Sequence, residues 1–308
     1  MRIFRKIPEA DDIFKSSVIT IGSFDGVHTG HRKIFSVLSD IAKREAGEAI
    51  VITFDVHPRK VLTPHTPPRI LTSEAEKVNA IADTGIENII LLSFTSKLGN
   101  MSAEDFITEI IKKINIIEIV AGYDHAFGKN REGDIDFLKG FCISRGIKIS
   151  RVEPEKYCHK PISSTWIRSE IEAGNISLSN LLLGRQYTLL GNVVRGKERG
   201  RQLGFPTANI LPEDPDKVIP KDGVYAVTVV VDGRLEMQGM LNIGTNPTFA
   251  NIERTIEVNI FEFNEDLYGL DIELRFHERI RDEMRFDSIN ELVEQLKKDK
   301  ITATKLLN

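Results

Sequence analysis

Two histidines three residues apart, His28 and His31, end the run Gly22-Ser23-Phe24-Asp25-Gly26-Val27-His28-Thr29-Gly30-His31. That spacing lets both imidazoles face one ligand where a loop enters a helix, and the free N–H groups of a helix N-terminus favour anions. Gly26 and Gly30 permit close backbone approach to phosphates. From the pair alone, exposed or metal-binding histidines stay equally open, although no cysteine or HExxH pattern accompanies it to suggest zinc. Further along, Ile162-Ser163-Ser164-Thr165-Trp166-Ile167-Arg168 opens another predicted helix. Hydroxyls at a helix start are often plain caps; with Arg168 one turn later they also suit a polyphosphate.

The second half carries a different set. Thr207 and Asn209 are two apart on an extended segment, so their side chains point the same way, and their oxygens suit magnesium, which bridges ATP phosphates. Glu257 lies on a predicted strand between Ile256 and Val258, with Asn259 on the same side. Such a carboxylate is either a base or an exposed strand glutamate. Gly191 to Lys197 nearly spells a P-loop, but Glu198 stands where Ser or Thr would ligate magnesium, and the setting is antiparallel; that motif is rejected. Arg195, Gly196, Arg199, Gly200, Arg201 and Gly204 still make an anion-seeking loop or a solvated one.

The elements that must position these residues fall into two grammars. Up to about residue 155, β-branched runs (Val18–Ile21, Ala49–Phe54, Ile89–Phe94, Ile116–Ala121, Ile147–Val152) alternate with segments of helical period such as Ile34–Arg44 and Ala103–Lys113. This pattern predicts a parallel sheet covered by helices on both faces, with ligands beyond the strands' carboxyl ends. Polar clusters follow three strands: the histidine run, Thr53–Arg59 and Ala121–Gly128. Parallel strands bring all three to one sheet edge, facing one crevice.

Past Leu183, Val224–Val231 and Leu235–Leu241 flank the turn dipeptide Asp232-Gly233, and Thr255–Phe263 and Asp271–Phe276 continue as strands with no helix between. An antiparallel, barrel-like domain is predicted, closed by a helix near Ser288, where Ser288 and Glu291 have capping-box spacing. The boundary is expected near Leu183–Gln186, dividing the chain into 1–183 and 184–308.

A chain of 308 residues suits two domains. It is 41% hydrophobic and 28% charged, with net charge -4 and mixed signs, which argues against nucleic acid as the main partner. Two cysteines, Cys142 and Cys158, are too few for a disulfide scaffold. With no apolar leader in the first twelve residues and no membrane-length apolar run, a cytoplasmic protein without a membrane partner is expected. Composition says nothing of oligomeric state.

Together, HxGH after the first of these strands and the later ISSTWIR resemble the nucleotidylyltransferase superfamily. With HPR and GYDHAFG, they resemble the FMN adenylyltransferase module of prokaryotic bifunctional FAD synthetases. The run Leu203-Gly204-Phe205-Pro206-Thr207-Ala208-Asn209 resembles the PTAN signature of riboflavin kinases, and Asn242–Phe249 and Thr255–Phe261 extend that likeness over the second half. Val56 stands where this family commonly has proline, His125 where phenylalanine is common, and Asn259 where histidine is often found and a neutral change is expected.

The resemblance implies a Rossmann-like parallel-sheet domain followed by an antiparallel riboflavin kinase barrel with a C-terminal helix. It implies that riboflavin and ATP give FMN, and that FMN and ATP then give FAD and pyrophosphate, with magnesium accompanying ATP and the flavins as substrates. In the first half it implies ATP contacts from Gly22, Phe24, His28, His31, Ser164, Thr165 and Arg168, and flavin contacts from His57, Arg59 and Asp124. In the second it implies ATP contacts from Gly200, Gly204, Thr207 and Asn209, a metal held by Thr207 and Asn209, Glu257 as the base, and Arg281 near the flavin. His28, His31 and Arg168 are the implied catalytic groups of adenylyl transfer. An adenylyltransferase for another nucleotide has no use for the PTAN-bearing half, and a flavin sensor without turnover has no need of Glu257, Thr207 and His31.

Overall fold

The computed structural model describes the chain except for residues 9–13, 15, 197–199, 201–202, 248–251 and 264. Glu198, Arg199, Arg201 and the last two residues of the Asn242–Phe249 segment therefore lie outside the described residues. The chain forms two compact units, one of Met1–Ile70 with Glu74–Ser164 and one of Leu71–Ser73 with Thr165–Asn308.

In the first unit six parallel strands lie in the order β1-β4-β3-β2-β5-β6: β1 (Arg2–Phe4), β2 (Ser17–Ile21), β3 (Glu48–Phe54), β4 (Asn88–Leu92), β5 (Ile116–Gly122) and β6 (Lys148–Val152). The central strands read as apolar runs because both faces are covered; Ser17–Ile21 is buried at every position. Helix α1 (Thr29–Arg44) turns Phe35, Leu38, Ile41 and Ala42 inward, one stripe of a 3.6-residue period. β1 was not expected, being only three residues long. Strand order runs outward from β2 in one direction and from β5 in the other. The crevice between β2 and β5 is thus the switch point where such sheets bind ligands.

The second unit is a closed antiparallel barrel, β10-β13-β12-β11-β14-β9. Its strands are β9 (Tyr187–Val194), β10 (Ala208–Pro212), β11 (Gly223–Val231), β12 (Leu235–Pro247), β13 (Ile252–Ile260) and β14 (Asp271–Arg281); a two-residue pair, β7 (Lys156–Tyr157) and β8 (Lys160–Pro161), belongs to the first unit. The Asp232-Gly233 turn has positive φ at both residues, 48° and 65°, as a type I′ hairpin requires. The closing helix begins at Ile289, and Ser288 Oγ accepts from Glu291 N at 3.3 Å. The Glu291 carboxylate accepts from Asp287 N instead of completing the box at Ser288.

Packing divides the chain earlier than the change in sequence pattern. Helices spanning Ser164–Ala173 and Ile176–Leu183 fall, from Thr165 onward, in the barrel unit. Asn180 supplies part of the reason: its amide donates to Phe276 O at 2.8 Å and its oxygen accepts from Tyr187 N at 2.7 Å.

Candidate active sites

Between the ends of β2 and β5 the first unit holds a cavity of about 220 Å³. Gly22, Phe24, His28, His31, Asp124 and Ser164, all singled out in the sequence, line it. Its loop is wound tightly: Phe24, Gly26 and Val27 have φ of 47°, 84° and 41°. Positive φ at a β-branched residue is strained and persists only where the surroundings hold it. The Phe24 ring folds back over Gly22, where a Cβ would stand 2.8 Å from its tip.

That fold places the Phe24 ring edge-on to His31 at 5.3 Å between centroids. His31 and His28 stack at 3.6 Å with their planes 20° apart. His28 is the N-cap of α1 yet makes no side-chain cap, so both rings stay at the helix mouth beside its N–H groups. Gly30 leaves room for this pairing, since a Cβ there would lie 3.1 Å from His28 Cε1. Ser164 Oγ donates to Asp25 O at 2.9 Å, fastening the start of the ISSTWIR segment to the same loop.

All three clusters follow adjacent parallel strands at one sheet edge, and two of them line the cavity. No residue of Thr53–Arg59 lines the cavity. β3 lies on the far side of β2 from β5, and its cluster enters a short helix at Pro58, where His57 accepts from Arg59 N at 3.2 Å as its cap. Thr165 and Arg168 lie in the second unit, where Arg168 Nη1 donates to Thr165 Oγ1 at 3.4 Å. Sequence reasoning missed Arg131, which lines the cavity and donates to Asp124 O at 3.4 Å. Its signal was the basic turn directly after GYDHAFG. His125 also lines the cavity; burial, aided by the Arg131 charge, pushes its imidazole down to about 4, so it is neutral near pH 7.

In the barrel, Asn209 pairs directly with Glu257 across β10 and β13, and Asn242 pairs with Glu257 from β12. Directly opposed residues share a face, so two amides flank the carboxylate. Thr207 Oγ1 donates to Glu257 Oε2 at 3.3 Å. Thr207 also lines a cavity of about 550 Å³ with Gly204, Val258, Phe263 and Tyr268. Gly200 approaches this segment so closely that a Cβ would stand 2.3 Å from Phe205 O, and Gly196 lies against the Asn209 amide.

Asn259 proves more than neutral: it is 6% exposed and donates to Pro206 O at 2.7 Å, pinning the PTAN segment to β13. Arg281, expected near the flavin, is engaged within the barrel unit. Its Nε and Nη2 meet the Asp299 carboxylate at 2.7 to 3.0 Å and its Nη1 meets Asp282 O at 2.8 Å, tying β14 to the C-terminal helix.

Among the described residues no group of three His, Cys, Asp or Glu side chains forms a metal cluster. The hydroxyl, amide and carboxylate oxygens of Thr207, Asn209 and Glu257 instead offer the sparse, hard donor set that suits magnesium arriving with a nucleotide. Nor, among the described residues, is any helix long and apolar enough to cross a membrane.

A parallel sheet with paired histidines at its switch point, joined to a barrel with a hydroxyl–amide–carboxylate row, defines a two-centred transferase. The family model for FAD synthetase matches residues 10–166, and that for riboflavin kinase matches residues 183–307. The bifunctional riboflavin kinase/FMN adenylyltransferase of Bacillus subtilis is 36% identical, covering 92% of this chain and 90% of that protein. The protein of the same name from Escherichia coli K12 is 34% identical, covering 93% and 91%. A crystal structure described as a macrolide-efflux protein from Streptococcus pneumoniae is 34% identical and superposes with a TM-score of 0.88 over 98% of both chains. The chain belongs to the bifunctional riboflavin kinase/FMN adenylyltransferase family, the FAD synthetases.

Proposed function

We propose that the barrel phosphorylates riboflavin through Glu257, and that the parallel-sheet unit adenylylates the resulting FMN through His28 and His31. The row Thr207, Asn209, Glu257 carries the kinase reading, because it sets a carboxylate beside the oxygens that would meet ATP phosphates. Glu257 takes the proton of the ribityl hydroxyl as that oxygen bonds to the γ-phosphorus of ATP and ADP leaves. Thr207 orients Glu257 through its hydroxyl, and Asn209 holds the metal side of the nucleotide. Magnesium, when bound, neutralises charge on the phosphates. Gly200 and Gly204 let the backbone close on ATP.

In adenylyl transfer a phosphate oxygen of FMN bonds to the α-phosphorus of ATP and pyrophosphate leaves. FMN phosphate is already ionised, so this centre needs alignment and charge stabilisation more than a base. His28, His31 and the α1 N-terminus supply both, with Ser164, Thr165 and Arg168 as further phosphate contacts and Gly22 and Phe24 shaping the loop. Asp124, His57 and Arg59 are assigned to the flavin. The catalytic modules divide at 183/184, with the helices Ser164–Ala173 and Ile176–Leu183 as the tail of the first.

Incubation of the protein with riboflavin, ATP and magnesium, followed by separation of the flavins, tests the reading. FMN and FAD are both expected. Formation of neither overturns it.

A further inference from the structure

Among the described residues, Arg131 is the only arginine or lysine that lines the cavity of the first unit. Its guanidinium donates from Nη2 to Asp124 O at 3.4 Å, and among the described residues no carboxylate pairs with it. The acids that follow it in sequence are engaged elsewhere. Glu132 accepts from Ala103 N at 2.8 Å, and Asp134 caps the helix Ile135–Ile143 through Asp136 N and Phe137 N. Of the two glutamates in the cavity wall, Glu155 pairs with Lys33 at 3.1 Å and Glu153 with Arg151 at 3.9 Å. His125, in the same wall, is neutral near pH 7. Arg131 therefore brings to the cavity a positive charge that no ion pair cancels.

The backbone is bent at this very residue. Asn130 and Arg131 have φ of 55° and 64°, a left-handed region that non-glycine residues enter only where the surroundings hold them. Here Phe127 and Gly133 close the loop by exchanging backbone hydrogen bonds at 3.3 and 2.9 Å, and Lys129 N donates to Met101 O at 2.9 Å. Gly128 and Gly133 seat the loop on Ala103, where their Cβ atoms would stand 2.7 Å from its Cα and 2.8 Å from its Cβ. A merely solvated arginine at a loop tip needs no such support.

We propose that Arg131 binds the phosphate of FMN in the adenylyl-transfer site and so selects the phosphorylated flavin over riboflavin. A phosphate monoester carries a charge of about −1.5 to −2 near pH 7, and a guanidinium meets it with paired N–H groups. The ATP phosphates have their own donors, the α1 N-terminus, the stacked histidines and Ser164, all gathered around the loop after β2. Arg131 comes instead from the segment after β5 and holds the backbone of Asp124, the residue assigned to the flavin. It is thus the cation on the side from which the attacking phosphate arrives.

The proposal rests on the adenylyl-transfer reading above. In the test, FAD formation is followed in wild type, R131M and R131G with FMN and ATP varied in turn. Lumiflavin, which has the flavin ring but neither ribityl chain nor phosphate, serves as a competitor that the kinase cannot consume. Absence of FAD formation in wild type sinks the functional reading, whatever the variants do. With wild type active, R131M should raise KM for FMN about ten- to a hundred-fold, the loss expected when charge-assisted hydrogen bonds are removed. KM for ATP and the inhibition constant of lumiflavin should move less than about threefold, because neither carries the group that Arg131 holds. FMN formation from riboflavin should be unchanged. R131G suits the left-handed backbone and removes the side chain, so it should show the same rise with no loss of Tm. It carries the test should R131M not fold. A folded variant with wild-type KM for FMN overturns the proposal. So does an inhibition constant for lumiflavin that rises as far as KM for FMN, the result of a pocket that has merely lost its shape.

Discussion

Asn209 faces Glu257 directly across the β10–β13 ladder, and Thr207 reaches the same carboxylate from two residues upstream. The carboxylate and the amide are thereby fixed by strand register, with the hydroxyl on the residue just ahead of β10. Glu257→Gln preserves this row and removes the capacity to take a proton. FMN formation should fall about a hundred- to ten-thousand-fold. The same preparation, given FMN, should make FAD at the wild-type rate. A kinase rate within a few-fold of wild type rules Glu257 out as the base.

His31→Ala removes one ring of the stacked pair and the edge contact from Phe24. FAD formation should drop by about a hundred-fold or more, the loss typical of deleting one group that stabilises transition-state charge. FMN formation should persist, because Glu257 and Thr207 belong to the other unit. Equal loss of both activities in a folded variant contradicts two separate centres.

The Arg281–Asp299 pair predicts stability, not flavin affinity. Asp299 is 1% exposed, and its loss strands a guanidinium between β14 and the C-terminal helix. Asp299→Ala should destabilise the barrel by about 3–5 kcal/mol, as expected when one partner of a buried pair is removed. Urea titration reads this directly. KM for riboflavin in the folded fraction should stay near wild type.

His125 gives stability an acid limb. Its pKa is about 4 in the folded protein, against about 6.5 in the unfolded chain. The unfolded chain therefore takes up the proton first as pH falls. Unfolding free energy should decline between pH 6.5 and 4 by about 3 kcal/mol from this residue, with nothing lost above pH 7. In His125→Phe the decline over that window should shrink accordingly when measured by chemical denaturation.

Two barrel fragments distinguish the packing boundary from the catalytic one. A fragment from Leu183 should retain riboflavin phosphorylation and make no FAD. A fragment from Thr165 should do the same and be more stable, since it keeps Asn180 with both of its backbone bonds, and buried Ile176 and Leu182. Those two side chains correspond to about 3–6 kcal/mol of burial. Equal midpoints in denaturant contradict the assignment of these helices to the barrel.

What the sequence displays and what it hides follow a physical division. Period-2 and period-3.6 patterns are local, so the parallel sheet, the barrel and the Asp232-Gly233 hairpin were legible, as were Asn209 and Glu257 in their strands and Thr207 on the extended stretch leading into β10. Strand order is not local. Nothing in Thr53–Arg59 says that β3 pairs with β2 on the side away from β5. Partners distant in sequence were hidden for the same reason: Arg281 reads as a free cation until Asp299 meets it eighteen residues later. Asn259 looked like a harmless exchange because its partner is a carbonyl, Pro206 O, and a carbonyl leaves no trace in a sequence.

The two units differ in whether their sheets end. Among the described residues the barrel closes on itself and leaves no strand edge unpaired. The parallel sheet has two margins. At one, β1 is three residues long and its Arg2 is tied to Glu48 and Asn88. At the other, β6 exposes Lys148 and Arg151. Short length and charge make both margins poor templates for edge-to-edge pairing, so crowding during synthesis meets little ready-made surface on which fibrils or swapped strands can start.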